Sequence, residues 1–501
     1  MQKKINFQLN SALKAILLLS VLLQICLYTN AQLYTGYSSA AYNGIYAVVN
    51  SPADILNHRF RGDLNLAGVS AGISNNTIKF KYKNRKDDYG GTSWANPITK
   101  NGKAYFNADV FGPSFLIRLS DKNAFAITTR ARVMTNLHGV SKYILNTVLQ
   151  DTIDAALLKN NLAISNITAN THAWTEMAFT YSRQVAISDY GVWKAGVSLK
   201  YLSGVAAELF STDQLSFTHD SVFDAARRRN KDALLNTQGT ISLQYTKNLD
   251  TLQSDFFSFK NPGLGIDVGV SYEFRDEMQV YETLYSDKTA NYIWKVGASI
   301  TDIGYIHYGA SQTNGIVARG AGNTYLMDTL AVPADSSNIG QMNNYYQKLF
   351  NAQSGASAFN MQLPTTLHFS YDRFFNKVLA VNAQMNIPLV FSAINKYSGT
   401  YNPFSITVTP RAEITWAGFY MPFSYNSVSG MQVGAALRVG PLVIGSGSFI
   451  NARMAKTKRA DLYFILRIPF FGYKEFKNKT FFDVLPKLSR KQRRALACPG
   501  N

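Results

Sequence analysis

The sequence predicts an exported all-β protein, a transmembrane antiparallel β-barrel of a gram-negative outer membrane. Three observations predict it. The chain opens on an export signal, the remainder alternates with period 2 almost from end to end, and the composition combines few charges with many aromatics. Charged residues make up 16% and hydrophobic residues 46%, with 29 Tyr and 31 Phe against 5 Trp. An ordinary soluble domain carries about 25% charged residues. The depletion fits a barrel whose outward face is apolar and whose interfaces carry aromatic girdles.

Lys3, Lys4 and Lys14 form a charged start, the run from Ala15 to Leu23 is apolar, and Ala31 is a small residue at a cleavage position. Residues 1–31 are therefore expected to be a signal peptide. A retained anchor is disfavoured because the run falls short of the ~20 residues of a spanning helix. Acylation at Cys26 is disfavoured by Ile25, where a small residue is needed. No second apolar run of spanning length follows, which leaves strands to cross the bilayer. Removing the signal leaves Cys498 alone, so neither a disulfide nor a cysteine zinc site can form, and no cofactor is expected. The formal charge of +19 falls to +16 without the three signal lysines. In an exported chain that excess points to outer-membrane lipid, lipopolysaccharide phosphates or an anionic ligand, not to nucleic acid.

About fifteen stretches alternate as strands: 63–74, 113–120, 125–133, 176–187, 192–203, 238–246, 266–274, 292–301, 366–371, 379–386, 404–409, 415–424, 429–438, 441–450 and 462–468. Ile266, Val268, Val270, Tyr272 and Phe274, for instance, interleave with Asp267, Gly269, Ser271 and Glu273. Each is near the 9–11 residues of a tilted membrane strand. A soluble sandwich shares the alternation; the number of long strands and the export signal favour the barrel, which leaves no sheet edge in lipid. Tight turns are expected at 120–123, 188–190, 373–377 and 439–441. Long polar connections are expected at 84–110, 134–172, 212–236, 275–291, 310–362 and 388–402, two of them weakly helical at Thr152–Asn160 and Met342–Asn351. The resulting division is a signal peptide at 1–31, an N-terminal segment at 32–62, a barrel at 63–473 and a basic tail at 474–501. The tail carries Lys487, Arg490, Lys491, Arg493 and Arg494 and is expected in the periplasm, where it either stays solvated or docks on an acidic protein partner or on inner-leaflet phospholipid headgroups.

Before the first strand stand Gly36-Tyr37, then Tyr42-Asn43-Gly44, then Asn50-Ser51-Pro52-Ala53-Asp54-Ile55, then Asp63-Leu64-Asn65-Leu66. This stretch resembles the N-terminal region of the long-chain fatty-acid transporter superfamily, matching at Asn50, Pro52 and Ala53 with Ser51 inserted. It resembles more closely a bacteroidete family of uncharacterised outer-membrane proteins with that barrel type. The resemblance implies fourteen strands and an N-terminal segment lodged in the lumen as a hatch. It supplies no established ligand.

No enzyme site emerges. The six histidines form no His-x-x-x-His pair, there is no Gly-x-Ser-x-Gly elbow, and Arg61-Gly62-Asp63 opens a strand. Gly263-Leu264-Gly265 and Gly320-Ala321-Gly322 lack phosphate-loop context and read as turns. Arg227-Arg228-Arg229-Asn230-Lys231 reads as a solvated or lipopolysaccharide-binding loop. Alternation directs Arg118, Arg130, Arg132, Lys200, Asp267, Glu273 and Lys295 inward, with His368 on the polar face of its strand, since outward Arg or Lys at mid-bilayer costs roughly 2–4 kcal/mol. Arg183 shares parity with apolar neighbours and marks a strand end or bulge. Such inward charges either pair to fill the lumen or select a ligand. Two functions follow: a barrel passing or handing over an apolar or amphipathic small molecule, or a non-transporting structural or secretion-associated barrel that binds protein partners.

Overall fold

A computed structural model describes residues 34–57, 60, 62–79, 93–94, 102–120, 122–140, 161–164, 166–188, 190–224, 229–247, 260–275, 292–310, 313–326, 345, 347–355, 358–389, 399–454 and 457–470. The signal peptide, the basic tail, Thr152–Asn160 and Arg227-Arg228 lie outside these residues.

Alternation does produce a closed antiparallel barrel of 14 staves. In chain order they are β1 (Gly62–Asn75), β2 (Gly102–Phe111 and Ser114–Ser120), β3 (Asn123–Val140), β4 (Thr168–Ile187), β5 (Gly191–Asp224), β6 (Pro262–Phe274) and β7 (Trp294–Tyr308). Then follow β8 (Phe359–Gln362 and Thr366–Phe374), β9 (Leu379–Pro388), β10 (Ser405–Glu413), β11 (Ala417–Tyr420 and Phe423–Asn426), β12 (Gly430–Val433 and Ala435–Val439), β13 (Leu442–Ser446) and β14 (Arg459–Phe470). Pro113, Pro364 and Pro422 sit in the breaks of β2, β8 and β11, because proline donates no ladder hydrogen bond. The ring closes where β1 pairs with β14, from Gly62 against Phe470 to Ser74 against Arg459. No helix among the described residues is long and apolar enough to cross a bilayer.

The outward face is apolar: Leu199 is 59% exposed and Leu264 75%. At the end where β4 turns into β5 and β6 leads to β7, aromatics form a row. Trp193, Tyr272, Trp294 and Phe274 contact one another in turn at 4.8, 5.6 and 5.1 Å, and Tyr190 stacks on Phe274 at 6.3 Å. This is the interfacial girdle of a membrane barrel. Gly62 and Phe470 lie at the same end, with the tight turns, which is the periplasmic end of an outer-membrane barrel.

Several expected connections are strands instead. Residues 102–110 belong to β2, where Asn107 and Asp109 point inward between outward Phe106, Ala108 and Val110. Residues 212–224 and 229–236 extend strands, and 313–326 is a strand inside the expected 310–362 loop. Residues 134–140 and 168–172 complete β3 and β4. β6 ends at Phe274 and β7 begins at Trp294, both at the tight-turn end, and residues 276–291 of the connection expected there lie outside the described residues. Gly263-Leu264-Gly265 and Gly320-Ala321-Gly322 lie within strands. The stretch 238–246 is a strand but not a stave, and 441–450 ends as strand at Ser446 before a short helix at Phe449–Met454. Arg183 lies beside a register shift near the end of β4.

An outer storey explains these strands. At about 3.3 Å per residue the 34 residues of β5 span about 110 Å, several times the ~30 Å hydrocarbon core. Only 191–203 pair with β6. Beyond them β5 pairs with Arg229–Thr246 and with Asn161–Ile164, and Arg229–Thr246 pairs in turn with Thr313–Leu326. Leu199→Arg should lower the unfolding free energy by roughly 2–4 kcal/mol in denaturant titrations of the lipid-reconstituted protein. Asp213→Arg, exposed on the outer storey, should change it by less than about 0.5 kcal/mol.

Candidate functional site

The lumen is where polar chemistry concentrates, and residues 34–57 lie in it. Two short 3-10 turns, Gly44–Val49 and Pro52–Leu56, are separated by Ser51 in extended conformation, with Pro52 in the first turn, where its missing N–H is not needed. Glycines in the wall make the seat. A Cβ at Gly196 of β5 would stand 2.5 Å from Ala53 N, and one at Gly269 of β6 would stand 2.5 Å from Ser51 Oγ and 3.1 Å from Pro52 Cδ. Ser182 donates to the Ala53 carbonyl at 3.0 Å, Ser299 donates to the Asn50 carbonyl, and Asn50 Nδ2 donates to Ser38 Oγ at 2.9 Å. Lys295 reaches Asp54 at 3.1 Å, and Lys194, paired with Glu273 at 2.6 Å, also donates to Asn57.

The first half of the segment carries buried tyrosines, with Tyr34, Tyr37 and Tyr46 fully buried. Tyr34 meets Tyr46 edge-on at 4.7 Å, Tyr37 meets Tyr420 at 5.7 Å, and Tyr46 packs on Phe111 at 4.7 Å. Their hydroxyls find acceptors: Tyr34 donates to Asp109 and Tyr46 to Asn65, both at 2.8 Å. Burial pushes the Tyr37 hydroxyl up to about 12 against the pull of Arg467, so it remains a neutral donor, bonded to the Tyr42 carbonyl at 3.1 Å.

The closing staves grip this segment directly. Asp63 of β1 and Arg467 of β14 pair at 2.9 Å, both with fully buried side chains. Asp63 Oδ2 accepts from Ile45 N at 2.8 Å, and Arg467 donates to the Tyr42 carbonyl. Gly44 between them has φ +57, and a Cβ there would meet Asp63 Oδ2 at 1.9 Å, so glycine is required on both counts.

A charge network crosses mid-lumen. Arg130 pairs with Asp109 at 2.6 Å and Glu176 at 3.0 Å; Arg132 pairs with Asp302 at 2.9 Å; Lys200 pairs with Asp302 at 2.6 Å and Asp267 at 2.8 Å. A second cluster joins Arg411 to Asp372 at 2.9 Å and to Glu413 at 2.7 Å, and Glu413 accepts from Ala41 N of the segment at 3.2 Å. At the loop end, residues 399–403 cross to the far wall: Asn136 donates to the Tyr401 carbonyl and Asn170 to the Gly399 carbonyl, both at 2.9 Å. Between that crossing and residues 35–50 lies a cavity with about 70 Å³ for the centres of water-sized molecules. Among the described residues, no three His, Cys, Asp or Glu are grouped to hold a metal ion.

Of the residues singled out by alternation, Arg130, Arg132, Lys200, Asp267 and His368 line this cavity. His368 bonds Thr301 at 2.9 Å and Asn386 at 2.8 Å. Glu273 and Lys295 lie instead beside the second turn of the N-terminal segment, next to Lys194 and Asp54. Asp63, Asp109, Glu176, Asp302, Arg411 and Arg467 were not singled out. Parity alone carries five of them, since each alternates with apolar neighbours on its stave. Asp302 escapes parity because a register shift opposite Ile266–Val268 and a φ of +59 turn it inward beside Thr301.

A family model described as a family of unknown function, DUF5723, matches residues 52–447. This chain belongs to the DUF5723 family. No curated protein sequence matches this family member. Among solved structures it is similar to a Pseudomonas putida toluene transporter, TodX, at 11% identity and TM-score 0.39, covering 88% of this chain and 98% of that one. It is also similar to the Ralstonia pickettii toluene transporter TbuX, at 9% identity and TM-score 0.38, covering 85% and 93%, and to a Pseudomonas aeruginosa FadL homologue, at 11% and 0.37, covering 88% and 97%. In the DUF5723 barrel, Arg467→Met should cost about 3–5 kcal/mol by stranding the buried Asp63 carboxylate. Adding Asp63→Asn should restore more than half of that in a double-mutant cycle read by denaturant unfolding; no restoration would mean the two side chains do not act as a pair.

Proposed function

We propose that this barrel is a gated passage for a small apolar or amphipathic molecule, with residues 34–57 as the hatch. The supporting observation is how the charges pair. Among the described residues, only Asp54–Lys295 joins the segment to the wall as a salt bridge; the other lumen pairs run from wall to wall. Withdrawing the segment therefore breaks one ion pair, aromatic contacts and hydrogen bonds, several of them to charged wall groups such as Asp63, Asp109, Glu413 and Arg467, but leaves those wall charges paired with one another. That is what a plug that moves without unfolding its barrel requires. The apolar or amphipathic cargo rests on the transporter-like Asn50, Pro52 and Ala53 stretch, and passage through the lumen would put the charges of Arg130, Arg132, Asp267, Glu273 and Lys295 beside it.

One observation favours the second reading, a structural or secretion-associated barrel that binds protein: the outer storey built on β5 offers a sheet beyond the membrane. The periplasmic basic tail is proposed as a second docking element, and lipopolysaccharide phosphates as partners of the basic outer loops. Single-channel recording in a planar bilayer separates the two. The gated reading expects a nearly silent full-length protein and a conducting variant lacking residues 32–56. Silence in both favours the structural barrel.

A further inference from the structure

The mid-lumen cavity has a composition that specifies a ligand class. Its charged wall holds three cations, Arg130, Arg132 and Lys200, each already bound to carboxylates. The carboxylates in that network are four: Asp109, Glu176, Asp267 and Asp302. Asp267 and Asp302 line the cavity with the three cations, and Asp109 and Glu176 stand behind Arg130; every cation is thus already paired, so an incoming carboxylate would be desolvated with no free cation to meet it. The opposite wall is neutral and rich in hydrogen-bonding groups, with His368, Gln384, Asn386 and Asn402. Their mutual bonds fix them: His368 to Asn386 at 2.8 Å, Gln384 to Asn386 at 3.2 Å, and Asn402 to Thr366 at 3.2 Å. Arg132 Nε, deeply buried, has no hydrogen-bond acceptor, which leaves a donor without leaving a charge. Apolar lining is confined to Val48, Val49 and Pro403.

We infer that this cavity binds an uncharged hydroxylated group, such as a free small polyol or the head of a neutral amphipathic molecule, and rejects carboxylates. The inference rests on the gated-passage reading for its biological use, but the binding site stands or falls separately. A fatty acid is thereby disfavoured as cargo, and an alcohol, diol or glycerol-like head is favoured. Asp267 and Asp302 set this selectivity, because they keep Lys200 paired at the cavity wall.

The test measures binding to the full-length protein in lipid nanodiscs by equilibrium dialysis, with radiolabelled 1,2-hexanediol, erythritol and hexanoate. At neutral pH the diol should bind at least about tenfold tighter than hexanoate. Binding of erythritol as well identifies the free polyol as sufficient; binding of the diol alone identifies the amphipathic head. Asp267→Asn should bring hexanoate to within about threefold of the diol, since it removes one carboxylate and keeps Lys200. Gln384→Leu, on the neutral wall, should weaken the diol and leave the barrel folded, as checked by its heat-modifiable gel mobility. Equal or tighter binding of hexanoate, or no binding of any probe, overturns the inference. If the diol binds but deletion of residues 32–56 leaves conductance unchanged, only the gating reading fails. If the deletion conducts and no diol binds, only the site fails.

Discussion

Lipid leaves the backbone of this chain no partner but itself, so the sheet has to close, and closure depends on one seam. β1 and β14 come from opposite ends of the barrel sequence, and they must find one another across its whole length. The ladder between them is continued in the lumen by Asp63 and Arg467, whose paired charges face inward from the two staves. Neither charge would be tolerated alone where both are fully buried. The pair therefore ties the seam together from the inside, and it also binds Ile45 N and the Tyr42 carbonyl of the N-terminal segment.

The same constraint organises the rest of the interior. Charges barred from the lipid face turn inward, and inside they neutralise one another: Arg130 with Asp109 and Glu176, Lys200 with Asp267 and Asp302, Arg411 with Asp372 and Glu413. The space left by a 14-stave ring is filled by buried tyrosines and two short turns, seated against Gly196 and Gly269. The filler meets the wall through aromatic contacts, one salt bridge and hydrogen bonds to paired wall charges, while the wall charges pair chiefly with one another.

Period-2 alternation made the staves legible, because one apolar and one polar face is what a lipid-facing sheet demands; β6, from Ile266 to Phe274, shows it most clearly. The pattern is present at β2 too, where Phe106, Ala108 and Val110 alternate with inward Asn107 and Asp109, so the loop expected at 84–110 overran a stave that parity could have marked. It failed at the outer storey, where neither face meets lipid and the pattern blurs over 205–224. In the lumen, parity was enough to point Arg130, Arg132, Asp267, Glu273, Lys295 and His368 inward. It could not tell which cation meets which carboxylate, because partners such as Arg132 and Asp302 lie on staves far apart in sequence. Asp302 itself was hidden by a bulge, and a bulge leaves no mark in alternation beyond a slip of one residue.

The central claim is that the N-terminal segment detaches as a unit from a barrel that stays closed. Amide hydrogen exchange in lipid vesicles measures this most directly. The N–H groups of Ile45, Ser51, Asp54 and Asn57, all bonded within the segment or to Asp63, should exchange together and well before those of β6 and β14. Exchange of these amides only in step with the staves would show that the segment leaves only when the barrel unfolds, and would contradict the account.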